Sequence, residues 1–359
     1  MAKKLTPQNG ILQSPPYVAG KHSIDGVHDI AILSANENPL GCSPTINAVI
    51  SKTVLHRYPD GSAIKLRQSI GALHNLNPDN IVCGAGSGEI LQLLIRAYAG
   101  DKDEVLYPEH GFLIYPIATL TVGATPVKAT ETNYTVSVDN MLTAVTDKTK
   151  IICLANPANP TGTLLEKSEI KRLVENVPTN ILIILDSAYA EYANTDVYTA
   201  GADMVDLYPN VVMVRTFSKA YGLASVRLGW CYASNEIVDV LHRVRSPFNT
   251  GTQSQLAGIA SIKDQEFIKK SIAHNNHWRQ ILKQLCEDKG LCVPNSFTNF
   301  ILVKFSSEKL ADKAYDILQN HGVIARLVKG YGLPDCLRIT IGTESENKKV
   351  MNAIAEFEN

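Results

Sequence analysis

Four polar clusters in this chain each follow an apolar run, and their residue types suit chemistry at a sheet edge. Lys219 closes Val211-Val212-Met213-Val214-Arg215-Thr216-Phe217-Ser218-Lys219. An apolar strand would deliver this ammonium group to its own C-terminal end, where open α/β sheets bind ligands. Desolvation there lowers a lysine's pKa and makes Lys219 a candidate Schiff-base former. Asp186 ends a second run, Ile181-Leu182-Ile183-Ile184-Leu185-Asp186-Ser187-Ala188-Tyr189. Five consecutive aliphatics describe a central parallel strand covered on both faces. A carboxylate emerging from it needs a cationic partner, although strand-end aspartates also cap helices or bind metal.

The other two clusters lie earlier in the chain. Ile81-Val82-Cys83-Gly84-Ala85-Gly86-Ser87-Gly88-Glu89 leads from a β-branched run through glycines into a helical pattern with apolar residues at 90, 91, 94, 97 and 98. Free backbone N–H groups at such a helix start form an anion site, a cradle for phosphate. The Gly-x-Gly-x-x-Gly spacing of a dinucleotide loop is not met. Ile151-Ile152-Cys153-Leu154-Ala155 then breaks into Asn156-Pro157-Ala158-Asn159-Pro160-Thr161-Gly162. Two prolines stiffen this turn and hold the Asn159 amide at the sheet edge.

The order of glycine-rich phosphate loop, Asn159 turn, Asp186 with Tyr189, then Ser218-Lys219 with Arg227 resembles the fold-type I pyridoxal-phosphate enzymes. Within that family the chain is most similar to the histidinol-phosphate aminotransferases. The resemblance runs from Pro16-Tyr17 and Ser34-Ala35-Asn36-Glu37-Asn38-Pro39-Leu40-Gly41, through Arg57-Tyr58-Pro59-Asp60-Gly61, to Cys336-Leu337-Arg338-Ile339-Thr340-Ile341-Gly342-Thr343. It implies an α/β protein of fold type I: a large domain with a mostly parallel, doubly wound sheet plus a smaller α+β domain.

The resemblance also implies roles. Lys219 would hold the aldehyde of pyridoxal 5'-phosphate and, once released by the substrate amine, move the proton at the α-carbon. Asp186 would pair with the ring nitrogen and keep it protonated. Asn159 and Tyr189 would donate to the ring hydroxylate. The backbone of Ser87, Gly88 and Glu89, with Thr216, Ser218 and Arg227, would neutralise the cofactor phosphate. An aromatic group should stack on the ring; its spacing to Tyr115 selects Phe112, with His110 next. Arg338 would bind the substrate's acidic group, a phosphate in histidinol phosphate and the α-carboxylate in glutamate. Arg326 and Tyr17 match further phosphate-contacting positions, and Tyr58 would reach the cofactor of a neighbouring subunit, which implies a homodimer.

Two positions depart from the family pattern. Gly88 stands where an acidic residue is frequent, which removes a side-chain contact but keeps the backbone amides. Phe248 stands where some members carry tyrosine, so that segment offers the substrate phosphate no hydroxyl.

The implied reaction is transamination between histidinol phosphate and 2-oxoglutarate, giving imidazole-acetol phosphate and glutamate. A phenylalanine or tyrosine aminotransferase is the nearest alternative, because Arg338 can hold a carboxylate. A phosphothreonine-type decarboxylase on the same scaffold differs in which α-carbon bond stands perpendicular to the ring.

Apolar strands alternate with helical segments from about 45 to 250, as in one doubly wound domain. A smaller domain is expected at 251–359, with Asn299–Phe305 as a strand and Thr343-Glu344-Ser345-Glu346 as a capping box. Residues 1–44 are expected to pack on it. The chain has 359 residues, 45% apolar, and a formal charge of −1, which is enough for a large core and offers no basic footprint for nucleic acid. Seven cysteines without Cys-x-x-Cys spacing indicate reduced thiols, a cytoplasmic setting. No apolar run reaches membrane-spanning length, and the N-terminus lacks a signal-peptide core. His274-x-x-His277 has no acidic or sulfur partner at ligand spacing and reads as surface histidines rather than a metal site.

Overall fold

The computed structural model describes residues 5, 7, 10–14, 21–193 and 195–358. Among these residues the main sheet has seven strands: β1 (Ile81–Gly84), β2 (Glu104–Pro108), β3 (Thr125–Ala129), β4 (Thr149–Ala155), β5 (Leu182–Asp186), β6 (Val211–Thr216) and β7 (Gly229–Tyr232). Their spatial order is β1-β7-β6-β5-β4-β2-β3. Pairs from β3 through β6 are parallel, and β7 runs antiparallel to both of its neighbours. The C-terminal ends of β1, β4, β5 and β6 therefore share one edge. That edge carries all four polar clusters.

The pleat explains why these runs are apolar throughout. Ile183, Leu185, Leu154, Val211 and Met213 point to one face and join its core, whereas Leu182, Ile184, Cys153, Val212 and Val214 point to the other. Successive side chains alternate across a strand, so a sheet covered on both sides needs an aliphatic at every position. Burial of each such side chain contributes about 1.5–3 kcal/mol.

A second sheet holds β8 (Phe300–Lys304), β9 (Arg326–Leu327) and β10 (Cys336–Thr340) in the antiparallel order β8-β10-β9. Ile301, Val303, Leu337 and Ile339 face a separate core with Leu318 and Val350. The opposite face turns toward the main body: Phe300 meets the Tyr189 ring edge-on at 5.5 Å between centroids. Arg338 lies on this inward face, opposite Leu302 and Arg326. All of Cys336–Thr340 is buried.

The segment Ala31–Ile32 pairs in parallel with Val323–Ile324. After Gly251, the helix Thr252–Lys263 contributes Ala257 and Ile262 to the same core as Leu66 and Leu228. The helix Glu344–Glu356 opens with the expected capping box, Thr343 to Glu346. His277 is exposed, but His274 is half-buried with Nε2 2.8 Å from the Gly342 carbonyl oxygen. Its helix packs on the small domain, which the polar local sequence concealed. Among the described residues no helix is long and apolar enough to cross a membrane.

Candidate active site

Lys219 follows β6 by three residues, and the chain must then turn sharply. Gly222 makes that turn at φ 69°, where a Cβ would run into the Gly41 carbonyl. Nζ of Lys219 donates to the Ala35 carbonyl at 3.2 Å and lies 5.8 Å from the centre of the Tyr189 ring. Burial, followed by the nearby Arg338 guanidinium, lowers its pKa from 10.5 to about 7. The lowered value favours a neutral, nucleophilic amine.

Asp186 ends the central strand β5, 4% exposed. Burial raises its pKa to about 6, opposed first by a hydrogen bond from Tyr115. Tyr115 Oη donates to Oδ2 at 2.9 Å. The other oxygen, Oδ1, is buried and has no hydrogen-bond partner among the described residues. A buried carboxylate with one oxygen held and one open is suited to a cationic N–H donor.

Asn159 and Tyr189 flank these groups. Both prolines of the Asn159 turn follow cis peptide bonds. Asn159 Oδ1 accepts from Arg338 Nη1 at 2.5 Å, and Arg338 Nη2 donates to the Ser34 carbonyl at 2.7 Å. The guanidinium stands 5.3 Å over the Phe300 ring. Tyr189 is buried and accepts from Asn36 Nδ2 at 2.8 Å; burial pushes its hydroxyl to about 12.

The glycine-rich loop passes from β1 into the helix Ser87–Tyr98, whose N-cap, Gly86, makes no side-chain cap. The first N–H groups of that helix are thus left to an external acceptor. Glu89 does not face this opening: its Oε2 accepts from the Ala85 N–H at 2.6 Å and from Asn249 Nδ2 at 2.8 Å. Gly86, at φ 87°, lets Arg227 come close, since a Cβ there would sit 2.5 Å from Nη2. Arg227 Nη1 donates to Ser218 Oγ at 3.4 Å and to the Ala224 carbonyl at 3.0 Å, and Thr216 Oγ1 bonds Ser218 Oγ at 3.1 Å. A backbone cradle, two hydroxyls and a guanidinium converge here. An added Cβ at Gly88 meets nothing within 4 Å, so no crowding explains the glycine at that position.

Phe112 packs edge-on to Tyr115 with ring centres 6.0 Å apart. His110 is engaged elsewhere, with Nδ1 2.8 Å from the Tyr331 carbonyl. Tyr58 is 82% exposed and stacks on Phe248 at 4.7 Å. Arg326 is half-buried on β9 beside Arg338. Tyr17 lies outside the described residues.

The sequence reading missed Tyr115 as a partner of Asp186, and missed Asn36 and Asn299. The apolar helical surroundings of Tyr115, Ile114-Tyr115-Pro116-Ile117, gave it the look of a core aromatic, and only the buried hydroxyl's need for an acceptor could have signalled more.

The family described as aminotransferase class I and II matches residues 28–354. The histidinol-phosphate aminotransferase of Paramagnetospirillum magneticum is 47% identical over 355 residues, covering 98% of each chain. That of Rhodospirillum rubrum is 46% identical over 363 residues, covering 99% of this chain and 98% of its own. Among solved structures, histidinol-phosphate aminotransferase from Sinorhizobium meliloti in complex with pyridoxal-5'-phosphate superposes with a TM-score of 0.86 at 26% identity, covering 91% of this chain and 90% of that one.

Proposed function

Since the chain belongs to the class I and II aminotransferases, we propose that it transfers the amino group of L-histidinol phosphate to 2-oxoglutarate in histidine biosynthesis. The products are imidazole-acetol phosphate and glutamate. Near-full-length identity to relatives of that activity supports the substrate. The observation that carries the chemistry is the pairing of a lysine of lowered pKa with a buried aspartate that keeps one oxygen open.

Pyridoxal 5'-phosphate fits the residues present. Oδ1 of Asp186 lacks a partner and suits a protonated ring nitrogen. The uncapped helix start with Ser87, Gly88 and Glu89 backbone, Thr216, Ser218 and Arg227 suits a phosphate. When bound, this cofactor supplies an aldehyde and a ring able to accept the electron pair released at the α-carbon.

The chain's own residues do the rest. Lys219 would hold the cofactor aldehyde and, once released by the substrate amine, would move the proton from the substrate α-carbon to the carbon that had been the aldehyde. Asp186 would hold the ring nitrogen's proton in place through an ionic hydrogen bond. Asn159 and Tyr189 would donate toward the ring oxygen, and Phe112 would cover a ring face. Arg338, with Arg326 and Tyr17, takes the substrate's phosphate and, in the second half-reaction, a carboxylate of the acceptor.

A homodimer, with Tyr58 serving the neighbouring site, belongs to the same proposal. Val54, Leu55, Tyr58, Ile64 and Phe248 are all exposed apolar residues, and Thr53–Pro59 with Gly251–Ser254 line a cleft of about 500 Å³. The division into 1–44, 45–250 and 251–359 and a cytoplasmic location are also proposed. Separate cores under the two sheets support two domains, while the helix Thr252–Lys263 packs in the core of the larger one.

The test is a steady-state assay with histidinol phosphate, phenylalanine and tyrosine as donors, with and without 2-oxoglutarate. Glutamate formed fastest from histidinol phosphate is the expected result. Faster turnover of the aromatic donors would move the assignment to an aromatic aminotransferase, and carbon dioxide release without 2-oxoglutarate would move it to a decarboxylase.

A further inference from the structure

One short segment touches most of the site. The Ser34 carbonyl accepts from Arg338, the Ala35 carbonyl accepts from Lys219, and the Asn36 side chain bonds Tyr189. Asn36 is 2% exposed and sits at φ 56°, a left-handed conformation that asparagine tolerates better than most residues. Its backbone N–H donates to Thr340 Oγ1 at 3.0 Å, and its Oδ1 accepts from that same hydroxyl at 3.0 Å. Its carbonyl accepts from Asn299 Nδ2 at 3.0 Å.

These bonds determine the direction of the amide. Thr340 Oγ1 already accepts from the Asn36 backbone, so its single proton is directed to Asn36 Oδ1. A flipped amide would instead turn Nδ2 to Thr340 Oγ1 and leave that hydroxyl's proton facing a donor in place of Oδ1. Nδ2 is therefore turned to Tyr189, 2.8 Å away. A phenol oxygen that accepts from Nδ2 has its own proton free to donate in another direction, into the cleft.

Resting on the pyridoxal-phosphate reading above, we propose that Asn36 is a positioning residue that makes Tyr189 a donor toward the cofactor's ring oxygen. Thr340 lies two residues beyond Arg338 on β10, so the strand that carries the substrate arginine also sets the polarity of Tyr189. Asn36 touches no reacting atom in this scheme. It acts through the phenol.

The experiment titrates the visible absorbance of protein reconstituted with pyridoxal 5'-phosphate, from acid to alkaline pH, for wild type, Asn36→Gly, Tyr189→Phe and the double variant. Glycine accepts the positive φ and brings no charge. A donor at the ring oxygen lowers that oxygen's basicity, so misaligning it raises the spectral midpoint. Asn36→Gly is expected to raise it by roughly half a pH unit or more, the scale of one hydrogen bond. In the Tyr189→Phe background the same substitution should add nothing. An unmoved or lowered midpoint, or an equal shift with and without the Tyr189 hydroxyl, overturns the relay alone. Wild-type protein that develops no visible band overturns the cofactor reading and the relay with it. Should Asn36→Gly not fold, Thr340→Val decides: a midpoint raised only when Tyr189 is present supports the relay, and any other result overturns it.

Discussion

Tyr115 gives its hydroxyl proton to Oδ2 of Asp186 across 2.9 Å, and both side chains are buried. The bond holds the carboxylate in one orientation and leaves Oδ1 without a partner among the described residues. It also opposes the burial that raises the acid to about 6. Burial drives the phenol itself well above its ordinary value, so it stays a donor at every working pH.

Tyr115→Phe removes this support with little change in shape. A hydrogen bond to a charged group is worth about 1.5–3 kcal/mol, so affinity for pyridoxal 5'-phosphate should fall by roughly tenfold or more. Fluorescence titration of the apoprotein measures it, and an unchanged affinity would show that the bond does not steer Asp186.

Asp186→Asn keeps the shape but loses the charge. Turnover should drop by roughly 10²-fold or more, as for other preorganised electrostatic groups. The apoprotein should respond in the opposite sense. A carboxyl with its folded pKa raised from 3.8 to about 6 binds more protons folded than unfolded between those values, so its contribution to stability falls as pH rises through that window. Above it, the asparagine variant should melt higher than wild type; equal melting at pH 7.5 would contradict the burial argument.

Lys219 titrates near 7, so the rate at which apoprotein captures pyridoxal 5'-phosphate should fall about tenfold for each pH unit below that value. Stopped-flow absorbance gives the profile. An inflection above pH 9 would mean an ordinary lysine. The unfolded chain holds this proton up to about 10.5 and the folded chain only to about 7, so apoprotein stability should rise with pH between them. Lys219→Met should abolish that slope.

Arg338→Lys keeps the charge but loses the fork that spans Asn159 and the Ser34 carbonyl. KM for histidinol phosphate should rise by at least tenfold, while cofactor affinity changes much less. Equal losses in both would relocate the arginine's role from substrate to cofactor.

Below the site, Arg215 Nη2 and Glu191 pair at 2.6 Å, each side chain 8% exposed. The pair ties the Tyr189 turn to β6. Glu191→Gln should cost about 3–5 kcal/mol in urea unfolding, because it leaves a buried guanidinium uncompensated. The double substitution Glu191→Gln with Arg215→Met should recover much of that loss, and failure to recover it would point to packing rather than charge.

What was legible locally was the delivery of side chains to an edge. An unbroken aliphatic run makes a two-sided strand, so Lys219 and Asp186 could be recognised at strand ends from their preceding residues alone. Glycines before an apolar helix marked the anion cradle on the same grounds. The capping box at Thr343 was likewise local.

Partnership was decided elsewhere. Tyr115 and Asp186 stand 71 residues apart in sequence, Asn36 and Tyr189 153, and Ser34 and Arg338 304. No local pattern encodes which buried hydroxyl or amide meets which, because that follows from strand order and from the docking of β10 onto the body. The sequence by itself determined which apolar runs become strands and which polar clusters follow them at one sheet edge. The tertiary structure alone decided their hydrogen-bond polarity and their pKa values, because both depend on desolvation and on neighbours that only the closed fold brings within 3 Å.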